Sequence, residues 1–115
     1  MIYRHGELPT EVRERMRGGN GRVALTPLTG ELPDGVRVFS TISLTPGDSI
    51  GYHVHEGESE LFYFAKGRAR VADNDRSYEV EAGDAMLTPS GSGHSVENVG
   101  DSELIVIAIV VLDRQ

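Results

Sequence analysis

The sequence predicts an all-β fold, a jelly-roll barrel of short antiparallel strands formed by one domain of 115 residues. Turn-forming residues recur about every ten positions from Gly35 to Gly100, which is typical of a β-sandwich or barrel. The stretches between these turns are rich in β-branched and aromatic residues. The segments TPGDSIG (45–51) and EAGDAML (81–87) resemble each other, and two similar halves suit a double Greek key.

The N-terminal segment is the exception, because its pattern favours a short helix. Thr10 can cap this helix, Glu11 lies in its first turn, Arg15 and Arg17 lie in its last turn, and the glycines at 18 and 19 can end it. We therefore predict an N-terminal extension over residues 1–21 that contains a short helix. The β-barrel is predicted over residues 22–115.

Three strands are predicted with defined bounds. Val36–Leu44 and Glu60–Phe64 alternate in polarity, as half-buried strands do. Leu104–Leu112 is apolar at both parities, so a strand there is expected to be covered on both faces. A second subunit can supply one of these covers, and we predict a homodimer.

Composition narrows the classes of partner. Eleven basic and 18 acidic residues give a net charge of -7, which repels nucleic acid and anionic membranes. The longest apolar run, Leu104–Leu112, is about half of the roughly 20 residues that a membrane-spanning helix needs. The first residues lack the apolar core of a secretory signal, so we expect a cytoplasmic protein with a small-molecule partner. The sequence has no cysteine, so a metal ion would need imidazole and oxygen ligands.

Four residues form a candidate metal site. His53 and His55 are two positions apart, so on a strand both imidazoles point to the same face. The polar residues 56–59 predict a turn, after which an antiparallel neighbour would bring Glu60 near the histidines. His94 begins another strand and can join them only if the sheet closes on itself. Such a set suits one divalent transition-metal ion, although a lone His-x-His pair is also common as a polar surface feature.

The spacing of these residues resembles both signature blocks of the cupin family. The first block is matched by G-DSIGY-HVH-EGES-E-LFYFAK-G and the second by G-DAMLT-PSG-SG-H-SVE-N, which together span residues 47–98. The resemblance implies a cupin barrel in which His53, His55, Glu60 and His94 are the metal ligands. Mn²⁺ is the foremost candidate, with Fe²⁺, Zn²⁺, Ni²⁺ and Co²⁺ as alternatives. Other segments look like those of small bacterial cupins named as oxalate-decarboxylase-like.

Other residues have weaker patterns. Four residues lie two or four positions after Glu60 or His94 and so share a strand face with them: Phe62, Phe64, Val96 and Asn98. Their side chains can bind substrate or simply belong to the hydrophobic core. Glu56 and Glu58 lie on the adjacent turn, where they can act as general acids or remain solvated loop charges.

Two functions from different classes follow, and an empty structural barrel remains a third. The first is a metal-dependent enzyme, a decarboxylase or dioxygenase, that acts on a small carboxylate or hydroxy-carbonyl compound. The second is a non-catalytic cupin in which the metal anchors a ligand or stabilises the barrel. Alternation directs Arg68 and Arg70 to solvent, so the sequence shows neither an inward cation for a dicarboxylate nor an insertion that could form a lid.

Overall fold

A computed structural model describes residues 1–113 and confirms the all-β jelly-roll fold. Residues 114 and 115, the last two of the predicted barrel, lie outside the described residues. The strands are β1 (Glu11–Glu14), β2 (Arg22–Pro27), β3 (Val36–Leu44), β4 (Ser49–Val54), β5 (Glu58–Lys66), β6 (Arg68–Asp73), β7 (Arg76–Glu81), β8 (Ala85–Thr88), β9 (Gly93–Asn98) and β10 (Leu104–Leu112).

The strands form two antiparallel sheets. Six strands pair in the order β1-β2-β3-β10-β5-β8, and the other four pair in the order β4-β9-β6-β7. From β3 to β10 the chain changes sheet at almost every connection, which is how a jelly roll brings distant segments side by side. Side chains from both sheets therefore meet in the interior between them.

The three strands with predicted bounds are present. β3 and β10 have the predicted bounds, and β5 contains the predicted segment Glu60–Phe64. Along β10 the even-numbered residues from Leu104 to Val110 are at most 2% exposed, because they point into the interior. The intervening isoleucines are only partly buried. Burial thus alternates along β10 even though the strand carries apolar residues on both of its faces.

The predicted N-terminal helix is wrong. Glu11–Glu14 form β1, which pairs with β2, and only a 3₁₀ turn follows, at Met16–Gly18. A helix of about two turns is marginal on its own, whereas β1 gains ladder hydrogen bonds from the edge of β2. Arg15 and Arg17 have φ values of 50° and 55°, in the left-handed region that a right-handed helix cannot contain. In the described part of the chain, no helix is long and apolar enough to cross a bilayer.

The six-stranded sheet carries apolar side chains on its outer side as well. Ile107 pairs with Tyr63, and Ile109 lies between Phe39 and Leu61 in the strand register. Leu61 in turn pairs with Leu87, which is 56% exposed. We call this set the outer apolar face: Phe39, Leu61, Tyr63, Leu87, Ile107 and Ile109.

Candidate metal centre

The fold brings together the four residues that the sequence selected. His53 on β4 pairs in register with His94 on β9, and His55 follows the end of β4. Glu60 lies on β5 in the opposite sheet. One ligand atom from each of the four side chains lies within 4.8 Å of the others, so the group could hold a metal ion.

Glu60 reaches the histidines by a different route from the one expected. We expected the strand of Glu60 to pair with the strand of the histidines, but β4 and β5 belong to different sheets. Glu60 instead pairs with Val110 and Thr88 in the six-stranded sheet and faces the imidazoles across the interior. The hairpin prediction was wrong because the connection at 55–57 joins two sheets rather than two neighbouring strands, and β5 already begins at Glu58.

The ligand atoms converge on one point. The Nε2 atom of His94 lies 3.1 Å from Nε2 of His55 and 3.2 Å from Nε2 of His53. Oε1 of Glu60 lies 2.9 Å from Nε2 of His55 and 3.1 Å from Nε2 of His94. His55, Glu60 and His94 are buried and His53 is half-buried, so the point is shielded from bulk water on most sides.

The other ring nitrogens are held by hydrogen bonds that orient the imidazoles. Nδ1 of His53 donates to the carbonyl oxygen of Gly51 at 2.9 Å, and Nδ1 of His55 donates to a carboxylate oxygen of Glu58 at 2.9 Å. These oxygens only accept, so the Nε2 atoms of both neutral rings carry free lone pairs. Nδ1 of His94 lies 2.7 Å from the hydroxyl of Thr88, which can accept in the same way.

The donor set fits a divalent transition-metal ion. Two donor atoms about 2.1 Å from one ion and at right angles to each other lie about 3.0 Å apart. The four observed separations are 2.9 to 3.2 Å. Lone pairs at such distances repel unless a proton or a cation lies among them, and a carboxylate with three imidazoles favours a cation of this class.

Burial and charge shift the pKa values of two residues at the site, His53 and Glu58. Burial lowers the pKa of His53, although the hydrogen bond to Gly51 opposes this effect, so the ring stays neutral at physiological pH. The Arg37 guanidinium forms two hydrogen bonds of 2.8 Å to Glu58 and holds the pKa of that carboxyl below its usual range. Glu58 is therefore ionised and accepts the His55 proton strongly.

A cavity of about 490 Å³ opens beside the four ligands. His53, His55 and Glu60 lie in its wall, and so do three arginines: Arg13 of β1, Arg17 of the 3₁₀ turn and Arg37 of β3. Arg13 pairs with Glu11 at 3.0 Å and Arg37 pairs with Glu58, while within residues 1–113 Arg17 has no ion pair. The cavity thus combines a metal-binding group with a guanidinium free to bind an anion.

The turn that carries Arg17 is closely packed on β4. Ser49 donates its backbone N–H to the carbonyl of Asn20 at 2.9 Å. A side chain at Gly19 would overlap the backbone carbonyl of Ser49, and one at Gly51 would overlap that of Arg17. Two glycines therefore permit the contact that places Arg17 beside the strand of His53.

The sequence showed no signal for the three arginines. Arg68 and Arg70 are exposed, as alternation predicted, and do not line the cavity. The cations of the cavity come instead from an N-terminal segment assigned to a helix and from β3, where the register shifts opposite Arg37. A β-bulge re-aims side chains against the period of two, so alternation alone could not assign this arginine to the cavity.

The weaker site candidates lie in several places. Glu56 is exposed, and neither it nor Glu58 lines the cavity. Phe62 is buried and stacks on the ring of His94 with the centroids 4.9 Å apart.

Phe64 and Val96 are buried in the core and do not line the cavity. Asn98 donates to the carbonyls of Leu44 and Ser102, both at 2.9 Å, and thereby links the end of β3 to the loop before β10. A substrate-binding role for these residues stays a prediction.

A jelly roll with three imidazoles and a carboxylate between its sheets defines a class of protein, and the chain belongs to it: it is a member of the cupin family. The family model described as a cupin domain matches residues 40–110.

Two curated relatives carry names that refer to oxalate. The chain is 37% identical over 114 residues to the oxalate-binding protein of Thermotoga maritima, covering 97% of this chain and 94% of that protein. It is 26% identical over 102 residues to the oxalate decarboxylase OxdC of Bacillus subtilis, covering 84% of this chain but only 26% of that protein.

A solved structure matches almost the whole chain. The crystal structure of a protein from Thermotoga maritima, described as a predicted oxalate decarboxylase, superposes with a TM-score of 0.93 at 36% identity. The match covers 98% of this chain and 100% of the other. The family and the fold are thus established by independent comparisons of sequence and structure.

Proposed function

We propose that this cupin binds one divalent transition-metal ion through His53, His55, Glu60 and His94, and that the loaded site binds a small carboxylate. The observation that carries the proposal is the convergence of four candidate ligand atoms beside a cavity that also contains the guanidinium of Arg17, which has no ion pair within residues 1–113. Four protein ligands leave positions open on an ion that prefers six, and carboxylate oxygens suit those positions.

Mn²⁺ is our first candidate for the ion, because a mixed set of nitrogen and oxygen ligands with open positions suits it. Fe²⁺, Co²⁺, Ni²⁺ and Zn²⁺ fit the same donors. The ion, when bound, supplies a positive charge that polarises and orients the oxygens of the ligand.

The residues of the chain add charge and orientation. Arg17 can donate two parallel N–H groups to a carboxylate, and its positive charge favours an anion. The name of the Thermotoga maritima relative, an oxalate-binding protein, supports oxalate as the first ligand to test.

Metal-dependent decarboxylation or dioxygenation is the second candidate function, and the open coordination positions favour it. Decarboxylation also needs a group that delivers a proton. The carboxylates in the cavity wall are Glu11, which pairs with Arg13, and Glu60, which belongs to the metal group. Binding without turnover therefore agrees better with the geometry, and we place it first.

The first test is metal content. Protein purified without a chelator is expected to contain about one metal ion per chain by elemental mass spectrometry. The His94→Ala variant is expected to lose this ion. His5→Ala is the matched control, because His5 is an exposed histidine far along the chain from the four ligands. Equal metal content in both variants would refute the assigned site.

The second test is calorimetric titration with oxalate. Binding is expected with the metal-loaded protein and not after treatment with a chelator. Arg17→Ala is expected to weaken it at least tenfold, while Arg70→Ala, an exposed arginine of β6, is expected to leave it unchanged. Turnover of small acids is assayed in the same samples, with and without oxygen. Turnover that depends on the metal would favour the enzymatic function over binding alone.

A further inference from the structure

The cavity beside the metal group is much larger than oxalate. Its volume is about 490 Å³, which corresponds to about sixteen waters at about 30 Å³ each. Oxalate has six non-hydrogen atoms and displaces about three such waters, roughly 90 Å³. A ligand that only bridges the ion and Arg17 would leave most of the cavity filled with water.

One wall of the cavity is largely apolar, and paired residues of three strands form it. Val38 pairs with Val110, Ser40 with Ala108, and Ile42 with both Val106 of β10 and Leu25 of β2. All of these except Val106 line the cavity, and Ser40 is the one polar side chain among them. Three neighbouring strands thus present one largely hydrocarbon surface to the interior of the cavity.

The charged groups lie at one end of this apolar surface. The surface begins at Val110, which pairs with Glu60, and extends along β10 and β3 to Ile42 and Leu25, while the imidazoles of His53 and His55 come from the other sheet. Such an arrangement suits an amphipathic ligand whose charged head binds at the ion and whose apolar body covers the hydrocarbon surface. Covering that wall removes apolar surface from water, which is favourable by about 25 cal/mol per Å².

We propose that the preferred ligand of this site is a 2-oxo carboxylate with an aliphatic chain, rather than oxalate. The carboxylate and the adjacent carbonyl oxygen form the chelating head, and the chain lies against Leu25, Val38, Ile42, Ala108 and Val110. This inference rests on the proposed function, because the head needs a metal-loaded site. The inference concerns the aliphatic chain of the ligand, which neither the metal nor Arg17 contacts.

The test is a series of unbranched 2-oxo acids, from pyruvate to 2-oxooctanoate, titrated by calorimetry into the metal-loaded full chain with oxalate as reference. Affinity is expected to rise about three- to fourfold for each added methylene until the cavity is full. If pyruvate and oxalate bind but affinity stays flat or falls as the chain grows, the inference is overturned and the proposed function stands. If the loaded protein binds none of these acids, both are overturned.

Two variants localise the effect. Val38→Phe fills part of the cavity and is expected to weaken 2-oxooctanoate at least tenfold while it changes pyruvate less than twofold. Leu25→Asn makes the wall polar and is expected to reduce the gain per methylene. Val12→Phe is the matched control, because Val12 is an exposed strand residue outside the cavity. Equal losses for both acids in Val38→Phe would show that the chain does not lie there.

Discussion

At the scale of single residues, Glu58 connects the cavity to the metal group. Its carboxylate accepts from Nδ1 of His55 at 2.9 Å and from Arg37 at 2.8 Å. A carboxylate in this position fixes the tautomer of a ligand imidazole and raises its basicity. We therefore assign Glu58 a positioning role, which differs from the general acid that the sequence suggested.

Replacement of Glu58 tests this role. Glu58→Ala is expected to lower metal affinity about 10- to 100-fold, the usual effect of losing a partner of a metal-bound histidine. Glu56→Ala, at an exposed position just before β5, is expected to change it less than twofold. Competition with a chromogenic chelator measures both affinities, and an unaltered affinity in Glu58→Ala would contradict the assignment.

The histidines also predict how metal binding depends on pH. Protons compete with the metal for Nε2, and burial lowers the pKa of His53, so protonation of this ring begins below the usual value for histidine. Metal affinity is expected to be nearly constant above about pH 6.5 and to fall as the pH drops further. Titrations between pH 5 and 8 check this, and an affinity that is unchanged at pH 5 would argue against histidine ligation.

At the scale of elements, the turn at 15–19 has a role of its own. It carries Arg17 and rests on β4 through a backbone contact that only glycine permits at position 19. Gly19 has an ordinary φ of -74°, so alanine there is opposed by the contact with Ser49 and not by backbone strain. An alanine at position 19 therefore tests the packing of the turn on β4 without adding backbone strain.

Gly19→Ala is expected to displace the turn and to weaken oxalate binding about tenfold, with metal affinity changed much less. Gly100→Ala is the control, because a side chain there meets neighbouring atoms only at 3.5 Å or more. Calorimetry with oxalate and the chelator competition give the two affinities. Loss of metal together with oxalate would show that the substitution disturbs β4 rather than the turn alone.

The elements differ in how far the sequence could predict them. The bounds of β3 followed from its alternating polarity and those of β10 from its continuous apolar run, because both patterns belong to the strands themselves. The four ligands followed from spacing because a jelly roll fixes which strands meet. β1 could not be predicted, since an edge strand with four exposed residues gains its stability from the ladder with β2 and not from its own pattern.

The sequence also could not predict the direction of side chains that depend on tertiary contacts. Arg17 lies in a turn whose position depends on close packing of the Arg17 carbonyl against Gly51. Local conformational propensity does not predict such a long-range contact. Arg37 points against the alternation of β3 because the register shifts beside it. The arginines of the cavity therefore emerged only from the structure, whereas the four residues of the candidate metal group followed from their spacing.

At the scale of the whole molecule, the outer apolar face predicts self-association. Leu61, Tyr63 and Leu87 are 42 to 56% exposed and adjoin the isoleucines of β10. An exposed apolar surface that spans several strands commonly marks an interface. A two-fold dimer would bury it against its own copy.

Light scattering is expected to give twice the chain mass of 12.5 kDa. Ile107→Glu introduces a charge on this face and is expected to shift the protein toward the monomer. Tyr78→Glu, at an exposed position of the four-stranded sheet, is expected to leave the mass unchanged. A mass near 12.5 kDa for the unmodified protein would refute the dimer.

The metal group also joins the two sheets, since the histidines belong to the β4–β9 side and Glu60 to β5. An ion that binds only the folded chain stabilises it by about 2.7 kcal/mol when the free metal is at 100 times Kd. For a domain of this size, that raises Tm by about 10 °C. Calorimetric scans with added metal and with a chelator measure the shift, and identical Tm values would show that the ion does not link the sheets.

The proposed ion would hold opposite walls of the jelly roll, so binding and architecture would share the same four side chains. A substitution that removes one of them would then loosen the barrel as well as the site, so a loss of ligand binding alone would say nothing about a direct role in binding. A chain that no longer needed the ligand would still lose stability by discarding the histidines. Retention of the metal group over evolutionary time can therefore outlast the function for which it first arose.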